Sequence, residues 1–66
     1  MPKTRLQELR IEKGISQAKL GKVLGVKDST VWGWEQDYRQ MDFDMLIKVC
    51  DFFNVSTDYF LKRKDY

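Results

Sequence analysis

The side chains best suited to touching another molecule are concentrated between Gln17 and Gln36 (QAKLGKVLGVKDSTVWGWEQ). Ser29, Thr30, Trp32 and Gly33 occupy the circumference left over once Val31 and Trp34, at i and i+3, turn inward. Their chemistry is hydrogen bonding and surface contact, not bond-making. The same segment sets apolar residues at Leu20, Leu24, Val26, Val31 and Trp34, with glycines at Gly21 and Gly25. This spacing predicts two short helices joined by a tight turn and crossing steeply, a helix-turn-helix over residues 17–36. Such a pair serves chiefly to carry its second helix into the major groove of DNA.

Catalysis finds little support elsewhere in the chain. Histidine is absent, so general acid–base chemistry would need perturbed carboxylates in a cleft that 66 residues can hardly form. The single cysteine, Cys50, sits between Val49 and Phe53 on an apolar stripe and reads as a small core residue. Asp42 and Asp44 fit the start of a helix better than a pair of metal ligands. No catalytic residue, metal, cofactor or small-molecule ligand is expected.

The length fits a single domain over residues 1–66, near the lower size limit for folding without staples. One cysteine permits no intramolecular disulfide, so the core must be hydrophobic, and 42% apolar residues suffice for a small helical bundle. Apolar runs such as Met45-Leu46-Ile47 fall far short of the roughly 20 residues that span a bilayer. The start, MPKTRLQ, lacks the apolar stretch of a secretory signal, and a cytoplasmic setting is expected. Net charge is only +2, but its distribution is uneven. Seven Lys/Arg oppose two Glu up to Lys27, two oppose seven acids from Asp28 to Leu61, and Lys62-Arg63-Lys64 follow. One face can therefore be basic on a nearly neutral molecule.

Five helices are expected, and no strand pattern. The first runs from about Lys3 to Lys13, opened by Thr4 or Pro2, with Leu6 and Leu9 on one face and Gly14 as its stop. Ser16 should cap the second, Gln17 to Leu24, although Lys19 replaces the Glu of a full capping box. Gly21 is costly within a helix, so it marks where another backbone comes close. Gly25 supplies the positive φ of the turn, and Val26 plugs it. The third helix spans about Asp28 to Glu35 or Gln36, capped by Lys27 or, better chemically, by Asp28, and a polar loop follows over residues 37–40. Asp42 opens the fourth helix, with Phe43, Leu46, Val49, Cys50 and Phe53 at the helical period and Asn54 as its C-cap. Ser56 caps a last short helix through Tyr59, Phe60 and Leu61.

With these elements in place the chain resembles the lambda-repressor-like, xenobiotic-response-element (Cro/CI-type) regulators of bacteria and phages. The resemblance rests on Arg5-Leu6 through Leu9-Arg10, Gly14-Ile15-Ser16-Gln17, Leu20, Leu24-Gly25-Val26, Ser29-Thr30-Val31, Trp34-Glu35, and Leu46 to Asp58. It covers the chain from about Arg5 to Leu61. It implies an all-α, five-helix lambda-repressor-like domain whose third helix reads double-stranded DNA. By the same resemblance Lys27, Asp28, Ser29 and Gly33 occupy positions that reach base edges, and Gln17 contacts a phosphate from a helix N-terminus. Lys19, Thr30, Tyr38 and Arg39 join Gln17 as phosphate candidates, the loop around Tyr38 and Arg39 touching the backbone across the groove. Arg10 and Glu35 match a pair that bridges the first helix to the end of the recognition helix.

Three departures bear on recognition. Relatives often carry Arg, Lys or Gln where Gly33 stands, so one base contact is lost or replaced by close helix approach. Asp28 either accepts from cytosine N4 or caps its helix. Gln36-Asp37-Tyr38 stand where relatives often have Asn-Gly. Trp32, added to the base-edge candidates, should project toward DNA, the alternative being that it leans on Met1, the loop or a second subunit. A symmetric homodimer on a near-palindromic operator is expected, because one such module buries only about 600–1,000 Å². The resemblance places the dimer contact near Thr57 and Phe60 with the start of the fourth helix. The aromatic cluster of Phe52, Tyr59, Phe60 and Tyr66 fits that contact or the core. No room remains for a sensing domain, and regulation by concentration or a partner is expected unless the chain belongs to a longer protein. The competing expectation is a protein-interaction module, an antirepressor or adaptor, with the same fold.

Overall fold

A computed structural model describes residues 3–65, and it is helical throughout with no strand among them. The helices are α1 (Leu6–Lys13), α2 (Gln17–Leu24), α3 (Asp28–Glu35), α4 (Phe43–Phe53) and α5 (Thr57–Phe60). Three of them start where a side-chain oxygen satisfies an orphan backbone donor. The N–H groups of Lys19, Met45 and Tyr59 donate to Ser16 Oγ, Asp42 Oδ1 and Ser56 Oγ at 3.0, 2.8 and 3.0 Å. Gly14, Gly25 and Asn54 close α1, α2 and α4 in the left-handed conformation.

One helix start differs from expectation, and at another the structure chooses between two candidate caps. The first helix begins at Leu6, not Lys3, because α5 captures the preceding residue. The Arg5 N–H donates to the Phe60 carbonyl and its Nε to the Tyr59 carbonyl, both at 2.9 Å. The Arg5 guanidinium also lies 4.4 Å from the Tyr59 ring centroid. Thr4 Oγ1 accepts from the Leu6 N–H at 3.3 Å, whereas Pro2, the other candidate opener, lies outside the described residues. For α3 the cap position is Lys27, without a side-chain bond. Asp28 lies inside the first turn, its Oδ1 accepting from the Ser29 N–H at 2.8 Å, where its charge suits the helix N-terminus.

The core joins Leu6, Leu9, Leu20, Leu24, Val31, Trp34, Val49, Cys50 and Phe60, with Ile15, Val26, Leu46 and Phe53 packed around it. Cys50 is buried, and burial followed by the neighbouring Asp51 charge pushes its thiol up, which suits a packing role. Phe43 departs from the expected stripe and is 84% exposed. The buried arc of α4 centres on Val49, and Phe43 lies about 120° around the helix from it at roughly 100° per residue. Ile47, one turn after Phe43, is exposed on the same side. Lys48 Nζ donates to the Leu24 carbonyl at 3.0 Å and so ties α4 to the end of α2.

Candidate nucleic-acid interface

The position of α3 is set by contact between backbones. A Cβ built on Gly21 would stand 2.6 Å from the Val26 carbonyl oxygen, and 3.3 Å from both Asp28 N and Lys27 C. Helix α2 can approach the turn this closely only through glycine. The Gly25 and Val26 N–H groups then both donate to the Gly21 carbonyl, the latter at 2.8 Å.

A buried ionic cluster fixes the other end of α3. Glu35 is 3% exposed. Arg10 Nε donates to its Oε2 at 2.6 Å and Arg10 Nη2 to its Oε1 at 3.2 Å, the bidentate geometry that suits guanidinium and carboxylate. Arg10 Nη1 donates to the Ile15 carbonyl at 2.9 Å, and Gln17 Nε2 donates to Glu35 Oε1 at 3.0 Å. One carboxylate therefore locks α1, the start of α2 and the end of α3 together. The Arg10–Glu35 bridge is as expected; the addition of Gln17 is not. Gln17 is half-buried, with one amide hydrogen committed to Glu35. The side chain proposed for phosphate is thus pre-oriented at the N-terminus of α2.

With Val31, Trp34 and Glu35 inward, the outer arc of α3 presents Lys27, Asp28, Ser29 and Trp32, all exposed, and Thr30, half-buried. Lys19 is exposed on α2, while Tyr38 and Arg39 are exposed in the following loop. Gly33 requires a correction. It lies on the outer arc, yet it is buried, because the Arg39 side chain covers it. The outer surface at this position is therefore that of the Arg39 stem and not of Gly33.

The loop over residues 36–40 is not a detached polar connection. The N–H groups of Tyr38 and Arg39 both donate to the Gly33 carbonyl, at 2.9 and 3.2 Å, and the Gln36 N–H donates to the Trp32 carbonyl at 3.0 Å. Asp37 takes a positive φ of 62° to allow this return. Tyr38 comes to rest beside Trp32, with ring centroids 5.4 Å apart and planes 31° from parallel. Trp32 leans on the loop and still exposes 46% of its surface; Met1, the other intramolecular support considered, lies outside the described residues. Nothing in the local sequence pattern announces either the Trp32–Tyr38 stack or the Arg39–Gly33 overlay, since both depend on how the loop returns.

The dimer candidates separate. Thr57 is exposed in the first turn of α5, whereas Phe60 is fully buried. Phe60 seals the core between the start of α1 and α5 and has no side-chain surface to offer a second chain. Of the remaining aromatic cluster, Phe52 and Tyr59 are half-buried under Lys13 and Arg5, and Tyr66 lies outside the described residues. Among the described residues no helix is long and apolar enough to cross a membrane. They also contain no group of three or more His, Cys, Asp or Glu that could hold a metal.

A helix-turn-helix family model matches residues 6–60 of the chain. The chain is 36% identical over 61 residues to the HTH-type transcriptional regulator ImmR of Bacillus subtilis strain 168. That match covers 92% of this chain and 48% of the regulator, so the chain spans about half the length of this relative. Among solved structures, the P22 c2 repressor in complex with synthetic operator 9T in the presence of Tl+ matches with a TM-score of 0.83. Its sequence is 30% identical, and the match covers 91% of each chain.

Proposed function

We propose that this chain, because it belongs to the lambda-repressor-like, Cro/CI-type helix-turn-helix family, is the DNA-binding unit of a transcriptional repressor that acts in the cytoplasm. Its residues 1–66 form one domain that binds a near-palindromic operator as a homodimer, with α3 of each protomer in the major groove. The observation that carries this reading is the outer arc of α3, exposed at Lys27, Asp28, Ser29 and Trp32 and held rigidly by Gly21 and Glu35. The likeness to a repressor crystallised in complex with a synthetic operator supports it. In this arrangement Lys27, Ser29 and Trp32 meet base edges, while Gln17, Lys19, Thr30 and Tyr38 hold the phosphates on either side. Phosphate contacts set register and base contacts set sequence. Asp28, already bonded to the Ser29 N–H, supports the helix start.

The second protomer has a surface to meet. Phe43 and Ile47 are exposed one turn apart at the start of α4, and Thr57 is exposed on α5. A symmetric dimer that covered this apolar pair would be matched to half-sites about one DNA turn apart, the spacing usual for helix-turn-helix dimers.

Binding should be strongly salt-dependent. With about eight phosphate contacts per dimer, affinity for a duplex operator is expected to fall on the order of 10³- to 10⁵-fold between about 50 and 200 mM salt. Fluorescence anisotropy over a salt series measures this, and sedimentation of the complex should count two protomers per duplex. A flat salt dependence would instead favour a protein-interaction module with this fold.

A further inference from the structure

The outer arc of α3 carries few side chains able to make the two-pronged hydrogen bonds that distinguish one base pair from another. Ser29 is short, Asp28 is bonded to its own helix, Trp32 offers one indole N–H, and Lys27, at the cap position, is a point charge without a planar fork. Gly33 lies one turn after Ser29 on the same line of the helix and contributes no side chain. The position is nevertheless filled. A Cβ at Gly33 would stand 3.1 Å from Arg39 Cδ, 3.2 Å from Arg39 Cγ and 3.5 Å from Arg39 Nε. The stem of Arg39 thus lies flat over the helix backbone at the glycine, and its guanidinium starts from the outer surface of α3.

The loop is anchored to make this so. Both the Tyr38 and Arg39 N–H groups donate to the Gly33 carbonyl, and the Trp32–Tyr38 stack flanks the crossing. The Arg39 guanidinium forms no hydrogen bond or ion pair with any described residue. Asp37, its acidic neighbour in the loop, accepts instead from the Lys3 N–H at 3.3 Å. An arginine with a seated stem and an unused planar fork is preorganised for a partner outside the chain.

We propose that Arg39, laid across Gly33 from the loop, supplies the two-pronged base contact missing from α3 at Gly33, and that it reads a guanine through O6 and N7 in the major groove. The inference rests on the DNA-binding reading above and assigns Arg39 to a base instead of a phosphate. A guanidinium matches the paired acceptors of guanine, and such a contact discriminates against the wrong base pair by roughly 5- to 150-fold. Gly33 is then a positioning residue: its missing Cβ is what lets the arginine lie against the helix.

Selection of bound duplexes from a random pool tests this, run in parallel for the wild-type chain, Arg39→Ala and Gly33→Ala. The wild-type chain should enrich a half-site containing a fixed guanine. Arg39→Ala should lose preference at that single position and keep the rest of the motif. Gly33→Ala forces the Arg39 stem to shift by a few tenths of an ångström and should weaken preference at the same position. Its melting temperature should hold or rise, because alanine is the better helix former. An Arg39→Ala motif unchanged at every position, with all sequences bound more weakly by one factor, would make Arg39 a phosphate contact and overturn the proposal. Enrichment of no sequence by the wild-type chain would remove the DNA-binding reading itself, and this inference with it.

Discussion

Arg10→Ala is expected to remove most of the stability of this domain. The Glu35 side chain is fully buried and that of Arg10 is 13% exposed, so neither charge has water to fall back on. Deleting the guanidinium leaves a buried carboxylate held only by the Gln17 amide and strands the Ile15 carbonyl. Removing one partner of a buried pair costs about 3–5 kcal/mol. A chain of 66 residues has only about 3–10 kcal/mol in hand. Urea denaturation followed by circular dichroism should therefore show the midpoint collapse. Pairing Arg10→Met with Glu35→Leu should recover most of the loss, because an apolar pair of similar volume avoids the desolvation penalty. The double variant should still bind DNA poorly, since Gln17 loses its anchor. A single Arg10→Ala variant within about 1 kcal/mol of wild type would contradict the role given to the cluster.

Gly21→Ala should also destabilise, against the ordinary preference of helices. By propensity alone, alanine in the middle of α2 would gain about 1 kcal/mol. Here the new methyl group would meet the Val26 carbonyl at 2.6 Å, and its next neighbours, Asp28 N and Lys27 C, are backbone too. No rotamer relieves a clash with the main chain, so the turn must open, with a net loss of about 1–3 kcal/mol. Opening the turn displaces α3, and DNA affinity should fall further than the loss of folded protein explains. Thermal melts beside operator titrations separate the two effects. A more stable Gly21→Ala variant would show that the helices do not meet as closely as described. Gly33→Ala is the contrast, because there the neighbour is a flexible side chain.

What could be read from the sequence was local. Ser16, Asp42 and Ser56 as caps, and Gly25 and Asn54 as stops, depend on chemistry within a turn of each residue, and the bounds of α2 and α4 follow from them. Gly21 was legible as a close approach because a glycine inside a short helix needs a reason. The deviations all depend on partners distant in the chain. Helix α1 starts late because α5 claims Arg5. Phe60 is core because it closes that same junction, although its aromatic type fits a dimer contact equally well. Phe43 has the right period but the wrong angular position relative to Val49. The contacts of Trp32 with Tyr38 and of Arg39 with Gly33 arise from the path of a five-residue loop, and spacing says nothing of that path.

The outer arc of α3, with the loop folded over it, is the surface proposed to meet DNA. Amide chemical-shift mapping of the isotopically labelled chain, titrated with a selected operator duplex, tests it most directly. The largest shifts should fall at residues 17–19, 27–33 and 37–39, with smaller changes at 43 and 47, the proposed dimer contact. Shifts confined to α4, or no shifts at saturating duplex, would contradict it.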